Sequence, residues 1–404
     1  MRNVVFVAPF PLETTKRFMR ATAQVHGVRL LGVFQEAPPD SAGIGFEGFE
    51  LVPDGLDAGA ITAATRRLAA RFGGIHRVIG VLEALQGPLA QVRAELGVPG
   101  EDVASAERFR DKSVMKDAFR AAGVPCARHK LLTGADDAVR FIQEVGYPIV
   151  IKPPSGVGCR STYRVDDANS LRDVLAELSP SPHRVMLAEE FLRGEESTFE
   201  TITLGGEPVF HSISRYLPGP LEVLRNPWIQ YVVHLPRNIW SPQYDDIRRV
   251  GVAAIKALGM RDGVTHMEWF RRPDGSLAIG EVAMRPPGVH LVRMMGLAYD
   301  TDFYRVWARA VIDGAWDGPW DRQYSVGCAF LRGTGRGRVS RVDGVQEVER
   351  ALGWLVAEAR LPQVGMPKAD GYEGEGYVIV KHPDDTVVQR ALKTIIETIR
   401  VHYS

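Results

Sequence analysis

Two glutamates, Glu268 and Glu281, flank the turn sequence RPDGS inside "VTHMEWFRRPDGSLAIGEVAMRPPG", residues 264–288. The segments THMEWF and LAIGEVAM are short and rich in apolar and aromatic residues, and Pro-Asp-Gly lies between them, which predicts a strand–turn–strand unit. A turn centred between Asp274 and Gly275 sets position 268 opposite position 281. Side chains alternate along a strand, so His266, Glu268, Glu281, Ala283 and Arg285 are expected on one face. Like charges directly opposed destabilise a hairpin unless they are protonated, solvated or bridged by a cation. On the hairpin alone two readings stay open. One is a solvated sheet face, whose register could slip by one residue. The other is a hard divalent cation held by two carboxylates together with phosphate oxygens, a common way for Mg²⁺ to bind.

The cation reading needs a phosphate site. "VIKPPSGVGCRST" (150–162) sets Lys152 at the end of an apolar strand, before a loop carrying Gly156 and Gly158. Small residues let backbone N–H groups approach an anion, and the lysine supplies a point charge. The pattern is not a P-loop, and a flexible turn with a surface lysine fits the same residues. "GTGRGR" (333–338) opens no helix and reads as a turn. In "MLAEEFLRGEES" (186–197) a strand runs into Glu189, Glu190, Phe191 and Leu192. Its backbone could meet an adenine edge, with Phe191 or Leu192 on the apolar side; a charged strand end in solvent is the alternative.

The elements that must hold these residues can be read from periodicity. Residues 1 to about 100 alternate apolar runs such as NVVFVAPF and RLLGVF with helical stretches such as AGAITAATRRLAARFG, the pattern of a parallel sheet with flanking helices. The loop APFPLETTK after the first strand lacks the glycines of a dinucleotide fold, which counts against an NAD or FAD enzyme. "SAERFRDKSVMKDAFRAAGVP" (105–125) predicts one amphipathic helix stopped by Gly123 and Pro125. Strands and helices mix through the middle and the end. "YLPGPLEVLRNPWIQYVVHLPRN" (216–238) is proline-punctuated and fits a pocket wall or lid, or a surface insertion.

Bulk properties bound the rest. A chain of 404 residues implies two to four domains or subdomains. Lys+Arg and Asp+Glu both number 49, so nothing points to a nucleic-acid or anionic-membrane partner. Cys126, Cys159 and Cys328 match no metal-ligand spacing and fit reduced thiols. The N-terminal apolar run is too short for a signal peptide and no segment reaches membrane-span length, so a cytoplasmic protein is expected.

Taken in order, RDKSVMK, YPIVIKPPSGVGCRST, AEEFLRGEES and HMEWF…PDGSLAIGEVAMR resemble the ATP-grasp superfamily, of the carboxylate–amine ligase type, across residues 105 to about 315. The resemblance implies a multidomain α/β and α+β chain. A parallel α/β domain (1–104) would precede a small (105–192) and a large (193–318) ATP-grasp subdomain, followed by a small α+β domain (319–404). It further implies that Lys112 and Lys152 contact ATP phosphates and that the loop 155–162, with Ser155, Gly156 and Gly158, closes over them. Glu189, Glu190, Phe191 and Leu192 would hold adenine, and Glu196 the ribose. Glu268 and Glu281 would coordinate Mg²⁺, or Mn²⁺ in its place. Arg285 would stabilise the transferred phosphoryl group or a substrate carboxylate, with Lys152 as its catalytic partner. His290 and Arg293 are further anion-binding candidates, each equally compatible with a structural role.

Two departures stand out. Ala283 occupies the position where many members carry a third metal ligand, Asn, and Ser161 and Cys159 replace more usual flap residues. The implied activity is amide or peptide bond formation between a small carboxylate and an amine through an acyl phosphate, with release of ADP and phosphate. A bicarbonate-using carboxylase and an inactive nucleotide-binding protein are the alternatives. Homodimers are common in such families, so a homodimer is one assembly compatible with the sequence.

Overall fold

The computed structural model describes residues 1–38, 43–156, 162–226, 229–318, 320–369 and 371–404. The N-terminal region is a four-stranded parallel sheet ordered Gly48–Leu51, Val28–Phe34, Arg2–Ala8, Ile75–Ile79. Alternation along Arg2–Ala8 decides which face each residue serves. Val5 and Val7 pack with Ile61, Leu68 and Leu89 from the helices Ala58–Phe72 and Gln86–Leu96. Val4 and Phe6 belong to a second core shared with Phe18 and with Trp307, which lies in the later helix Phe303–Asp313. The N-terminal sheet is therefore welded to the rest of the chain through one of its faces.

The stretch expected as a single helix over 105–125 is two: Val103–Arg110 and Lys112–Ala121. The break has a local cause. Asp111 leaves helical geometry and its carboxylate accepts from the amides of Ser113 (2.8 Å) and Val114 (3.0 Å), an N-cap that starts a new helix at Lys112. A four-stranded antiparallel sheet follows, ordered His129–Leu132, Met186–Glu190, Ile149–Lys152, Tyr163–Val165.

The largest sheet has eight strands in the order Leu277–Ala283, Gly263–Arg271, Glu195–Leu204, Glu207–Leu217, Tyr231–Leu235, Ser325–Leu331, Gly376–His382, Val356–Arg360. The helix Asp245–Leu258 lies against it so closely that a side chain at Gly251 would meet the Phe199 ring at 2.8 Å. The sheet runs across the boundary expected near 318, because three strands from the C-terminal region extend it. Among the described residues, no helix is long and apolar enough to cross a membrane.

The opening hairpin forms, with a refinement. Near its turn the pairing is Arg271 with Leu277 and Trp269 with Ile279, which is centred on Asp274. That register alone would set Glu268 opposite Gly280. A β-bulge places Gly280 outside the ladder, and beyond it Glu268 faces Glu281, Met267 faces Val282 and His266 faces Ala283. The two acids face each other because of this one extra residue.

Candidate active site

A cavity of about 730 Å³ lies between the antiparallel four-stranded sheet and the hairpin end of the eight-stranded sheet. Lys112, Lys152, Gly156, Glu189, Glu190, Phe191, Leu192, Glu196, Glu268, Glu281 and Arg285 all line it. Ser155 does not, although Pro153 and Gly156 on either side do. Gly158, with Cys159 and Ser161, lies outside the described residues.

Charge is arranged in two layers. Lys112 Nζ donates to Gly156 O at 3.1 Å and stands 3.4 Å from Glu281 Oε2. Lys152 Nζ lies 2.9 Å from Glu189 Oε2 and 3.8 Å from Glu281 Oε2. Behind them sits Lys116, the last residue of RDKSVMK, to which no role was assigned. It is fully buried, 3.2 Å from Glu189 Oε1, and donates to Gly280 O at 2.6 Å. Burial works to raise the Glu189 carboxyl, but the ammonium groups of Lys116 and Lys152 prevail and hold it at about 2. Glu189 thus pairs with both lysines while lining the cavity. Its neighbour Glu190 pairs with Arg128 (2.8 Å) and Arg272 (3.0 Å).

The opposite layer has an excess of negative charge. Burial, then the neighbouring Glu281, push the Glu268 carboxyl up. Burial and the carboxylates of Glu268 and Glu281 push Glu196 well up. Burial would raise Glu281 too, but Lys112 and Lys152 hold it below the usual range. An ionised Glu281 facing a Glu268 that resists ionising until a positive charge arrives fits a divalent cation. Among the described residues no three His, Cys, Asp or Glu side chains form a ready-made cage. Two carboxylates completed by phosphate oxygens is an arrangement Mg²⁺ favours, and the hard oxygen donors suit it.

Several contacts were not foreseen. Arg285 is bound by Glu83, whose Oε2 lies 3.0 Å from both Nε and Nη2. Glu83 sits in the loop after the parallel strand Ile75–Ile79, and its only sequence signal was that such loops form ligand crevices. His266 lines the cavity, with Nδ1 3.0 Å from the buried Glu200 and Nε2 3.8 Å from Glu268. The proline-punctuated segment does form a wall: Tyr216, Gly219 and residues of the short helix Pro220–Arg225 line the cavity, and Arg225 reaches Asp166, just beyond the strand Tyr163–Val165, at 3.1 Å. His290 and Arg293 are not cavity residues. Arg293 pairs with Glu358 at 2.7 Å, and the His290 ring packs 3.9 Å from that of Tyr377.

Comparisons with known proteins agree with this geometry. The family model described as "Carbamoyl-phosphate synthase L chain, ATP binding domain" matches residues 111–196. The L-arginine-specific L-amino acid ligase of Bacillus subtilis is 29% identical over 210 residues, covering 50% of this chain and 50% of that protein. The chain thus matches about half the length of that curated relative. The crystal structure of L-amino acid ligase from Bacillus licheniformis superposes with a TM-score of 0.80 at 18% identity, covering 100% of this chain and 99% of that one. N5-carboxyaminoimidazole ribonucleotide synthetase from Thermotoga maritima shares the fold, with a TM-score of 0.72 at 16% identity and full coverage of both chains. The order of motifs, the paired sheets around one charged cavity and these likenesses point the same way: residues 111–196 match an ATP-binding domain, and the whole chain shares its fold with an amino acid ligase.

Proposed function

We propose that the protein is an ATP-dependent ligase that joins a small-molecule carboxylate to an amine, forming an amide or peptide bond through an acyl phosphate. The observation that carries this reading is the meeting of Glu268 and Glu281 with Lys112 and Lys152 in one cavity, with Lys112 and Lys152 3.4 and 3.8 Å from Glu281. Lys112 and Lys152 would neutralise phosphoryl oxygens, and Gly156, tethered by Lys112, would bring loop backbone to them. Glu268 and Glu281 would hold Mg²⁺, with Mn²⁺ as a substitute. When bound, the ion supplies positive charge against the triphosphate.

In the first step a substrate carboxylate oxygen bonds to the γ-phosphorus and ADP leaves. In the second the amine nitrogen bonds to the carbonyl carbon, loses a proton, and phosphate leaves. Arg285, held by Glu83, would orient the carboxylate or the transferring phosphoryl group. The segment 219–226, tied across by Arg225 and Asp166, walls the cavity against water that would hydrolyse the acyl phosphate.

The test is ADP release on panels of carboxylates and amines, with and without bicarbonate. ADP release that requires both an acid and an amine is the expected result. Release driven by bicarbonate would identify a carboxylase, and tight nucleotide–metal binding without turnover on any panel an inactive binder. Glu281→Ala should abolish ADP formation while circular dichroism stays unchanged, and surviving activity would remove the metal assignment.

A further inference from the structure

Lys116 is a buried cation that the proposed chemistry does not use. It stands on the helix Lys112–Ala121, one turn beyond Lys112, and none of its surface reaches solvent. Its Nζ makes two contacts. One, at 2.6 Å, is with the carbonyl of Gly280, the residue that the bulge leaves out of the hairpin ladder. The other, at 3.2 Å, is with Glu189, whose second oxygen binds Lys152 at 2.9 Å.

We propose that Lys116 is a positioning residue that aligns the metal carboxylate Glu281 with the phosphate lysine Lys152 across the two ATP-grasp subdomains. The bulge supplies the need. Without the extra residue Glu268 would face Gly280, so the opposition of the two acids depends on Gly280 staying outside the ladder. A residue expelled from a ladder carries a backbone carbonyl that must find another donor. Lys116 is that donor.

The adjoining residue is braced from the same side, since the amide of Ile279 donates to Pro125 O at 2.8 Å, in the chain leaving the Lys112–Ala121 helix. The helix and its exit therefore grip both residues that precede Glu281. The second contact completes the link: Lys116 shares Glu189 with Lys152, so the lysine that meets phosphate and the carboxylate that meets metal answer to one buried ammonium group.

This inference rests on the proposed nucleotide and metal site, and its test separates the two. Lys116→Met keeps the volume and removes the charge. A Lys116→Met/Glu189→Gln double variant also neutralises the carboxylate, so that Lys152 is not drawn toward an unshared charge. Folding is checked by circular dichroism and thermal melting. Mn²⁺ binding to the protein–ADP complex is read by electron paramagnetic resonance, and ADP binding in EDTA by calorimetry.

Both variants should bind Mn²⁺ at least tenfold more weakly than wild type, with a smaller change in metal-free ADP binding. A purely structural role would shift the melting point without this selective loss of metal. If the single variant does not fold, the double variant carries the same reading. Mn²⁺ binding within twofold of wild type in a folded variant would overturn the inference, as would full recovery in the double variant, which would assign Lys116 to neutralising Glu189 alone. Failure of the wild-type protein to bind Mn²⁺ with ADP would overturn the proposed site, and this inference with it.

Discussion

Glu196 shows how finely a single side chain is placed in the cavity. A Cβ built on Gly219 would lie 2.2 Å from Glu196 Oε2, so the wall segment presses on that carboxylate. Because the obstructed atom is the far end of a flexible side chain, Gly219→Ala should move Glu196 rather than unfold the protein. The expected outcome is a several-fold rise in the KM for ATP with a melting temperature close to wild type, measured by ADP release and calorimetry. At this scale the sequence was legible where chemistry is written in residue type. The facing acids and the lysines of RDK and VIKPP could be found because their neighbours in the chain mark them. Glu83 could not, and Lys116, although it ends RDKSVMK, was given no role, since their partners Arg285 and Gly280 lie 202 and 164 residues away. No periodicity encodes such contacts.

Among elements, the edge strand Val356–Arg360 is fastened by one acid. Glu358 receives Arg17 from the helix Glu13–Ala23, Arg293 from the helix Leu291–Tyr299 and the Tyr377 hydroxyl, at 3.1, 2.7 and 2.7 Å. Burial opposes its ionisation, but hydrogen bonds from Arg293, Tyr377 and Arg17 win and hold it at about 2, against 4.5 for an ordinary glutamate. The folded pKa is depressed, so the stabilisation is complete above pH 4.5 and is lost as pH falls through about 2. Allowing for its partial exposure, the contribution is roughly 2 kcal/mol. Glu358→Gln should lower stability at neutral pH by about that amount and flatten the decline between pH 4.5 and 2, as read by denaturant titrations across that range. Element boundaries were legible wherever glycine or proline punctuates the chain. The split at Asp111 was not, because the heptapeptide around it keeps helical periodicity on both sides and only the cap reveals the break.

For the whole molecule, the cavity is bounded by both sheets, so a ligand that fills it ties them together. Mg²⁺ with ADP at about a hundred times its Kd should stabilise the protein by about 2.7 kcal/mol. A rise of a few degrees in melting temperature that EDTA reverses would be the corresponding observation. An unchanged melting point at saturating nucleotide would contradict the site. The parallel N-terminal sheet and the hairpin-rich middle were readable from alternation and turns. The union of the C-terminal strands with the large sheet was not, since the pairing of Tyr231–Leu235 with Ser325–Leu331 spans a long separation that local pattern does not reach.

That union leaves its mark on the chemistry. All five residues of Tyr231–Leu235 are buried, between a strand that precedes them and one that comes from the tail. Tyr372, from the same tail, packs against Tyr231 with ring centroids 5.3 Å apart and lines the cavity. Through Tyr372 the last quarter of the polypeptide thereby contributes to the cavity wall. Change in this portion would reshape one wall of the cavity, while the lysines and glutamates supplied by the earlier strands and helices stay in place.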